Sequence, residues 1–131
     1  MNRVITASLA ALIVSVAGLA KADTVVPKFN LTGGWNSPDG SVAEYFQDGT
    51  ALTWVVMSGG FAHTYSARYI TPTKLEGIQH RVDRASGCST EMLLTLTVVG
   101  ANDVSVSAKA LDSNCDLVKG QIYTSSAYRV L

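Results

Sequence analysis

The fold class is decided by residues 91–110, which are Glu91-Met92-Leu93-Leu94-Thr95-Leu96-Thr97-Val98-Val99-Gly100-Ala101-Asn102-Asp103-Val104-Ser105-Val106-Ser107-Ala108-Lys109-Ala110. Apolar side chains recur at every second position on both sides of a turn-forming segment, residues 100–103. That period is typical of a β-strand with one buried face, and the intervening turn predicts an antiparallel hairpin.

The register of this hairpin follows from its two apolar faces, because residues that face each other must share a side of the sheet. The expected pairs are Val98 with Val104, Leu96 with Val106, Leu94 with Ala108, and Met92 with Ala110. Extending this register places Cys88 opposite Asn114, one residue away from Cys115. A loop or bulge at residues 112–114 would absorb that offset, so we expect a disulfide at the open end of the hairpin.

Cys88 and Cys115 are the only two cysteines of the chain. In an oxidising compartment an isolated pair is most simply one intrachain disulfide, with a free pair or a metal site as the alternative. A bridge would close a loop of about 27 residues and contribute roughly 3 kcal/mol in the chain-entropy account.

The same period of two continues through the rest of the chain, and no window has the apolar spacing of an amphipathic helix. Turn-forming clusters separate the candidate strands. These strands are residues 31–35, 41–47, 51–57, 61–70, 75–82, 91–99, 104–110 and 121–130. The pattern predicts an all-β fold, an eight-stranded antiparallel up-and-down meander. We expect a closed barrel, with a sandwich as the alternative.

The N-terminus has the pattern of an export signal over residues 1–22. Arg3 supplies a positive start, residues 4–20 are apolar, and Ala20-Lys21-Ala22 puts small residues where a signal peptidase cleaves. The apolar run is short for a membrane anchor, which is the alternative interpretation. We therefore expect an exported protein, periplasmic or secreted, in which residues 23–131 form a single β-barrel domain.

The charge of the expected mature chain excludes some partners. Residues 23–131 contain 8 basic and 10 acidic side chains, a formal charge of −2. Because there is no basic stripe or polybasic cluster, we expect no nucleic acid and no anionic membrane surface as a partner. We also expect no stable membrane span after signal cleavage, since no other stretch is long and apolar enough.

No catalytic constellation is apparent in the sequence. His63 and His80 lie on neighbouring candidate strands without a third ligand at metal-ligand spacing, so we expect solvent-facing histidines and no metal. A G-x-S-x-G nucleophile motif and a helix-opening phosphate loop are both missing. We therefore expect no enzyme and no cofactor, with a hydrolase or isomerase that uses these histidines as the minor alternative.

Aromatic residues are the best candidates for a binding site. Tyr45 and Phe46 are adjacent and must point to opposite faces, whereas residues 61–69 place their aromatic rings and His63 on one face. The candidate ligand-binding residues are Tyr45, Trp54, Phe61, Tyr65 and Tyr69. The alternative is that these rings fill the interior, because an eight-stranded barrel is often just wide enough for its side chains.

Residues 31–41, Leu31-Thr32-Gly33-Gly34-Trp35-Asn36-Ser37-Pro38-Asp39-Gly40-Ser41, resemble the first strand and turn of the avidins and, more loosely, the G-x-W signature of the lipocalins. The resemblance implies a barrel in which Trp35 closes one end beneath a basic side chain of the last strand. Arg129 holds the matching place, so we expect these two residues to form a barrel-end plug. Of the avidin ligand positions in this stretch, Ser37 and Ser41, only Ser41 keeps the family residue. Because the later tryptophans of the biotin site have no counterpart, biotin binding is not expected.

Two functions fit this sequence. The first is an exported, non-enzymatic binding protein that holds a small, mainly apolar ligand in the open end of a β-barrel. The second is a periplasmic or extracellular protein-interaction module, an inhibitor or surface factor. It would use loops at residues 58–61 and 83–87, with Arg81 and Arg84 as anchors. A hollow barrel interior favours the first function.

Overall fold

The computed structural model describes residues 25–131. Within that range there is no helix, and the strands are β1 (Gly33–Asn36), β2 (Val42–Asp48), β3 (Ala51–Met57), β4 (Phe61–Thr71), β5 (Lys74–Asp83), β6 (Ser89–Gly100), β7 (Asp103–Ser113) and β8 (Ile122–Arg129). Their bounds differ from the predicted ones by three residues at most. No helix of the described residues is therefore a candidate for crossing a membrane. The expected export signal, residues 1–22, lies outside the described residues.

The eight strands form one closed up-and-down barrel. Each strand pairs antiparallel with its neighbour in the chain, and β1 also pairs with β8. The predicted fold class is confirmed, and of the two architectures considered the barrel is the correct one. Closure is short, because β1 and β8 share only the pairs Trp35 with Arg129 and Asn36 with Tyr128.

The β6–β7 hairpin has the register expected from its apolar faces. The observed pairs are Val98 with Val104, Leu96 with Val106, Leu94 with Ala108, and Met92 with Ala110. Beyond these pairs the register shifts by one, so that Glu91 pairs with Asp112 and Leu111 is the extra residue of a bulge. The bulge begins one residue earlier than expected. It brings Cys88 and Cys115 into a disulfide, with their Cα atoms 5.4 Å apart.

Alternation along each strand decides which side chains are inside. Tyr45 is 2% exposed, whereas the next residue, Phe46, is 63% exposed. The fully buried core side chains are Leu31, Trp35, Leu52, Leu75, Leu94, Leu96 and Val104. At Gly77 the strands approach so closely that a Cβ atom would lie 2.5 Å from the Cα of Ala67 and closer still to the Ser66 carbonyl oxygen. Glycine therefore permits the contact between β4 and β5.

The N-terminal segment, residues 25–32, covers one end of the barrel, which we call the closed end. The Lys28 N–H donates to the Pro72 carbonyl oxygen at 2.9 Å, and the Leu31 N–H donates to Gln47 Oε1 at 3.0 Å. The Trp35 indole Nε1–H donates to the Leu31 carbonyl oxygen at 2.9 Å. Leu31 and Trp35 have no exposed surface, so together they seal this end.

Arg129 lies over the closed end and covers Trp35. Its guanidinium carbon is 4.9 Å from the centroid of the Trp35 ring. The same guanidinium donates hydrogen bonds to the carbonyl oxygens of Asn30, Thr32 and Ala101. The structure therefore brings the two residues of the expected plug together. A planar group with five donors suits this position, because it stacks on a ring and reaches several carbonyls at once.

Replacing Arg129 with alanine is expected to lower the melting temperature by roughly 8 °C, which corresponds to about 2 kcal/mol for a domain of this size. The loss arises because the carbonyl oxygens and the Trp35 ring lose their shared partner. Thermal unfolding followed by circular dichroism measures the change. Arg84→Ala, at an exposed arginine of the β5–β6 turn, is the matched control. Equal melting temperatures for Arg129→Ala and wild type would contradict the plug.

Replacing both Cys88 and Cys115 with serine is expected to lower the free energy of unfolding by about 3 kcal/mol. The reason is that the closed loop, with a sequence separation of 27, regains its freedom in the unfolded chain. Urea unfolding at constant pH measures the loss, and wild type reduced with dithiothreitol should show the same value. A double variant as stable as the oxidised protein would show that the disulfide contributes nothing.

Candidate ligand-binding cavity

A cavity of about 310 Å³ opens at the end of the barrel opposite to the N-terminal segment, which we call the open end. The connections after β1 and β3 border it, and it extends downward between the strands. Its volume is at the lower end of the range for small-molecule sites, roughly 300 to 1,000 Å³. The barrel is therefore hollow in this half and packed in the other.

Strand register arranges the floor of the cavity as one layer of inward side chains, the aromatic layer. Its members pair directly across neighbouring strands in the order Tyr45, Trp54, Tyr65, Gln79 and Met92. The ring centroids of Trp54 and Tyr65 are 4.5 Å apart, and their planes are nearly parallel at 8°. Trp35 stacks on Tyr45 at 4.9 Å, so the rings continue from the closed-end plug to the cavity.

The next layer toward the open end, the polar layer, pairs His63 on β4 with Arg81 on β5. The Phe61 ring lies above this pair at the cavity mouth. The Arg81 guanidinium carbon is 3.5 Å from the centroid of the Phe61 ring, and the His63 and Phe61 rings are 6.2 Å apart in a T-shaped arrangement. The cavity thus combines an aromatic floor with a polar wall formed by β4 and β5.

The sequence-predicted aromatic residues divide between the two ends of the barrel. Those that line the cavity are Tyr45, Trp54, Phe61 and Tyr65. Tyr69 does not line it, because it lies at the closed end, 3% exposed, with its hydroxyl donating to Gln47 Oε1 at 3.1 Å. Burial there raises the pKa of Tyr69 to about 12. Tyr69 shares the inward face of β4 with Tyr65 but lies four residues deeper.

The two histidines occupy opposite faces of the sheet. His80 pairs with Thr64 and is exposed on the outer face, whereas His63 is half-buried and lines the cavity. The expectation of solvent-facing histidines is therefore correct for His80 and wrong for His63. Burial is the main reason that the pKa of His63 is lowered to about 4. The positive charge of Arg81 lowers this pKa further, and the Asp39 carboxylate opposes the shift.

The neutral His63 ring is held by two neighbours in the aromatic layer. Gln79 Nε2 lies 2.8 Å from His63 Nδ1, and the Tyr65 hydroxyl lies 3.3 Å from the same atom. Because an amide nitrogen only donates, Nδ1 is the acceptor and the ring proton is on Nε2. Burial raises the pKa of Tyr65, so its hydroxyl keeps its proton at neutral pH. Gln79, which is 5% exposed, is satisfied by this contact.

Two charged side chains border the cavity without pairing with each other. Asp39, in the connection between β1 and β2, accepts hydrogen bonds from the Ser41 hydroxyl at 2.6 Å and the Ser41 N–H at 2.9 Å, which lower its pKa. The Arg81 Nε atom is buried and has no hydrogen-bond partner among the described residues. Within residues 25–131 no carboxylate lies within 4 Å of the Arg81 guanidinium.

The cavity also opens sideways, between β1 and β8. Since β1 ends at Asn36, the residues of β8 before Tyr128 pair with β7 alone. Ser125 pairs with Val106, and both belong to the inward-facing set that lines the cavity. Ser125 is nevertheless exposed, because no β1 residue covers it. The cavity is therefore bordered by an uncovered stretch of β8 as well as by its mouth.

Of the polar residues of the site, the sequence places only His63 on the same strand face as the candidate aromatic residues. Arg81, expected from the sequence to anchor an exposed loop surface, instead lines the cavity. Gln79 and Asp39 were not singled out at all. A usable signal was present, since Gln79 and Arg81 fall on the same alternating face as Leu75, which is fully buried.

A second recess, of about 200 Å³, lies on the outer surface. His80, Glu91 and Asp112 are cross-strand neighbours there, and His80 Nδ1 is 3.9 Å from the Glu91 carboxylate. Among residues 25–131 no group of three or more His, Cys, Asp or Glu side chains is placed to hold a metal ion. We therefore regard the inner cavity as the candidate site.

No family model, curated protein or solved structure matches the chain. The geometry defines a class of site, a small-molecule-sized cavity in a closed β-barrel with an aromatic floor and one polar wall. About half of the lining is polar, because side chains from the β1–β2 connection and from β8 border the cavity as well. A concave site in which several polar groups converge beside apolar surface is typical of ligand binding.

The lowered pKa of His63 predicts a loss of stability in mild acid. Its usual value is 6.5 and its folded value is about 4, so between these two pH values the unfolded chain binds a proton that the folded protein does not. The free energy of unfolding should fall as the pH drops from about 6.5 towards 4. It should become independent of this residue above about pH 7.5, where His63 is neutral in the folded and in the unfolded chain.

Urea unfolding at a series of pH values between 7.5 and about 5.5 measures this dependence, above the range in which most carboxylates titrate. His63→Gln should flatten the slope, whereas His80→Gln, at the exposed histidine, serves as the control. The assignment fails if His63→Gln retains the wild-type slope.

Proposed function

We propose that this protein is an exported, non-enzymatic binding protein that holds a small, mainly apolar molecule in the open end of its barrel. The observation that carries the proposal is the hollow aromatic layer. Trp54 and Tyr65 present stacked rings, 4.5 Å apart, to a cavity of about 310 Å³. Rings that are already ordered lose little conformational freedom when a flat molecule packs against them, which favours binding.

The surroundings of the cavity support a preformed site. The closed end is packed and covered by Arg129, while the Cys88–Cys115 disulfide holds β6 and β7 together near the open end. A disulfide indicates an oxidising, extracytoplasmic environment. We propose in addition that residues 1–22 are an export signal and that the protein is periplasmic or secreted.

The segment Gly33-x-Trp35 and its cover by Arg129, on a closed eight-stranded meander, are consistent with the resemblance to avidins and lipocalins. That relationship stays a prediction. If it holds, this chain uses the same end of the barrel for a different ligand, because its cavity contains one tryptophan, Trp54, beside tyrosine, histidine and arginine.

The protein-interaction alternative rests on the connections around the open end. Residues 58–61 and 83–87 lie at the same end of the barrel, as that alternative requires. One of its two charged anchors is removed, however, because Arg81 is directed into the cavity and stacks on Phe61. Arg84 remains exposed. We therefore prefer the small-molecule function.

The proposal is tested with N-phenyl-1-naphthylamine, an uncharged aromatic dye whose fluorescence rises in apolar surroundings. Wild type is expected to bind it saturably, at one site per chain. Ser125→Trp should weaken binding at least tenfold, because an inward tryptophan at this exposed position would occupy the cavity without displacing buried side chains.

The matched control is Ser105→Trp, an exposed position on the outer face of β7. It adds the same side chain to the neighbouring strand and should leave dye binding unchanged. Absence of saturable binding to wild type would overturn the proposed function, and so would equal binding to wild type and Ser125→Trp.

A further inference from the structure

We infer that the ligand of this cavity carries a single anionic group, a carboxylate or sulfonate, on its flat apolar body, and that Arg81 binds that group. The inference rests on the proposed function, since it names the chemical class of the molecule that the aromatic layer would hold. It comes from the unpaired guanidinium on the cavity wall, which nothing else in the described structure explains.

Arg81 is fixed in position before any ligand arrives. Its guanidinium stacks on Phe61 at 3.5 Å, and its strand position places it between His63 on β4 and Thr90 on β6. Stacking leaves the edge of the guanidinium available, and that edge carries N–H donors in the fixed geometry that matches two oxygens of one anionic group.

The Arg81 Nε–H is the specific sign of a missing partner. The atom is buried, and no acceptor lies within hydrogen-bond distance in residues 25–131. Buried polar groups of folded proteins are almost always paired, because an unpaired donor has lost its water without replacement. Since Nε is closed even to a water-sized molecule, an arriving anion would bind the terminal nitrogens of the same guanidinium, which share its charge.

The other polar groups of the wall favour an anion over a cation at this point. The neutral His63 has its ring proton on Nε2, because Nδ1 accepts from Gln79 at 2.8 Å. The Arg81 guanidinium only donates, so the charged and donating groups of this layer outnumber its acceptors. A cationic group placed beside Arg81 would meet a fixed positive charge, which disfavours a cation at this point of the wall.

Asp39 limits the ligand to one anionic group. It borders the same cavity, and its Oδ1 atom is already held by Ser41 at 2.6 and 2.9 Å. Hydrogen bonds from Ser41 keep it ionised at neutral pH. A second anionic group on the ligand would face this carboxylate, so a monoanion fits the cavity better than a dianion.

The test compares 2-naphthoate with 2-naphthamide by isothermal titration calorimetry. The two probes share size and shape and differ in the charge of one group. A charge-assisted hydrogen bond in a partly buried site corresponds to roughly a tenfold to hundredfold change in affinity. We expect wild type to bind 2-naphthoate tighter than 2-naphthamide by about that factor.

Arg81→Met removes the charge and retains an unbranched side chain that packs against Phe61. This variant is expected to lose the preference for 2-naphthoate, so that the two probes bind it with similar affinities. Arg84→Met is the matched control at an exposed arginine in the turn that follows β5, and it should keep the preference for 2-naphthoate. Circular dichroism spectra and melting temperatures verify that both variants are folded.

Each outcome decides a separate question. Equal affinities in wild type would overturn the anion inference and leave the proposed function standing. A preference that survives in Arg81→Met, or that disappears in Arg84→Met, would also overturn it, because the anion would then be attracted elsewhere or by surface charge in general. If neither naphthalene probe nor the uncharged dye binds wild type, the proposed function itself fails.

If Arg81→Met is unfolded, Arg81→Lys replaces it. Lysine keeps the positive charge but not the planar set of N–H donors, so it should reduce the preference for 2-naphthoate without removing it.

Discussion

The whole architecture depends on how the barrel is closed between its first and last strands. Only two residue pairs join β1 to β8, and one of them is Trp35 with Arg129. The same two residues also meet through their side chains, with the guanidinium over the indole ring. Backbone closure and side-chain cover therefore coincide at one point of the barrel. Because closure is short and lies near the covered end, the open end keeps a gap along β8.

The gap along β8 and the packed closed end both follow from the short pairing between β1 and β8. The short β1 strand is followed at once by the connection that carries Asp39, and the rest of β8 has no partner on that side. Near the closed end, residues 25–32 supply Leu31 to fill the interior. Near the open end no segment within residues 25–131 does so, and inward residues such as Ser125 remain exposed. The half of the barrel near the closed end therefore contains the packed core, and the half near the open end contains the cavity.

Strand positions, barrel class and the β6–β7 register could be predicted because they depend on local alternation and on pairing across one short turn. The site depended on the β4–β5 pairing, whose turn contains a register shift between Tyr69 and Thr71. Whether His63 and His80 lie on the same face of the sheet depends on that one-residue shift. Because the sequence does not reveal the shift, it cannot decide between the two faces. How deep a residue lies along the barrel axis is even harder to predict from the sequence. Alternation placed Tyr65 and Tyr69 on the same face, but only the covering N-terminal segment assigns Tyr69 to the core.

Placing a charged residue inside a small barrel opposes stability, and the position of Arg81 shows how the structure limits that cost. The guanidinium is not immersed among aliphatic side chains. It stacks on Phe61 at the mouth, where water reaches the cavity, while the aromatic layer beneath it is uncharged. An apolar side chain at this position would pack against Phe61 without a buried N–H that lacks a partner. Packing alone therefore does not account for an arginine at this point, above stacked rings and beside a neutral histidine, whereas the anionic ligand that we propose would account for it.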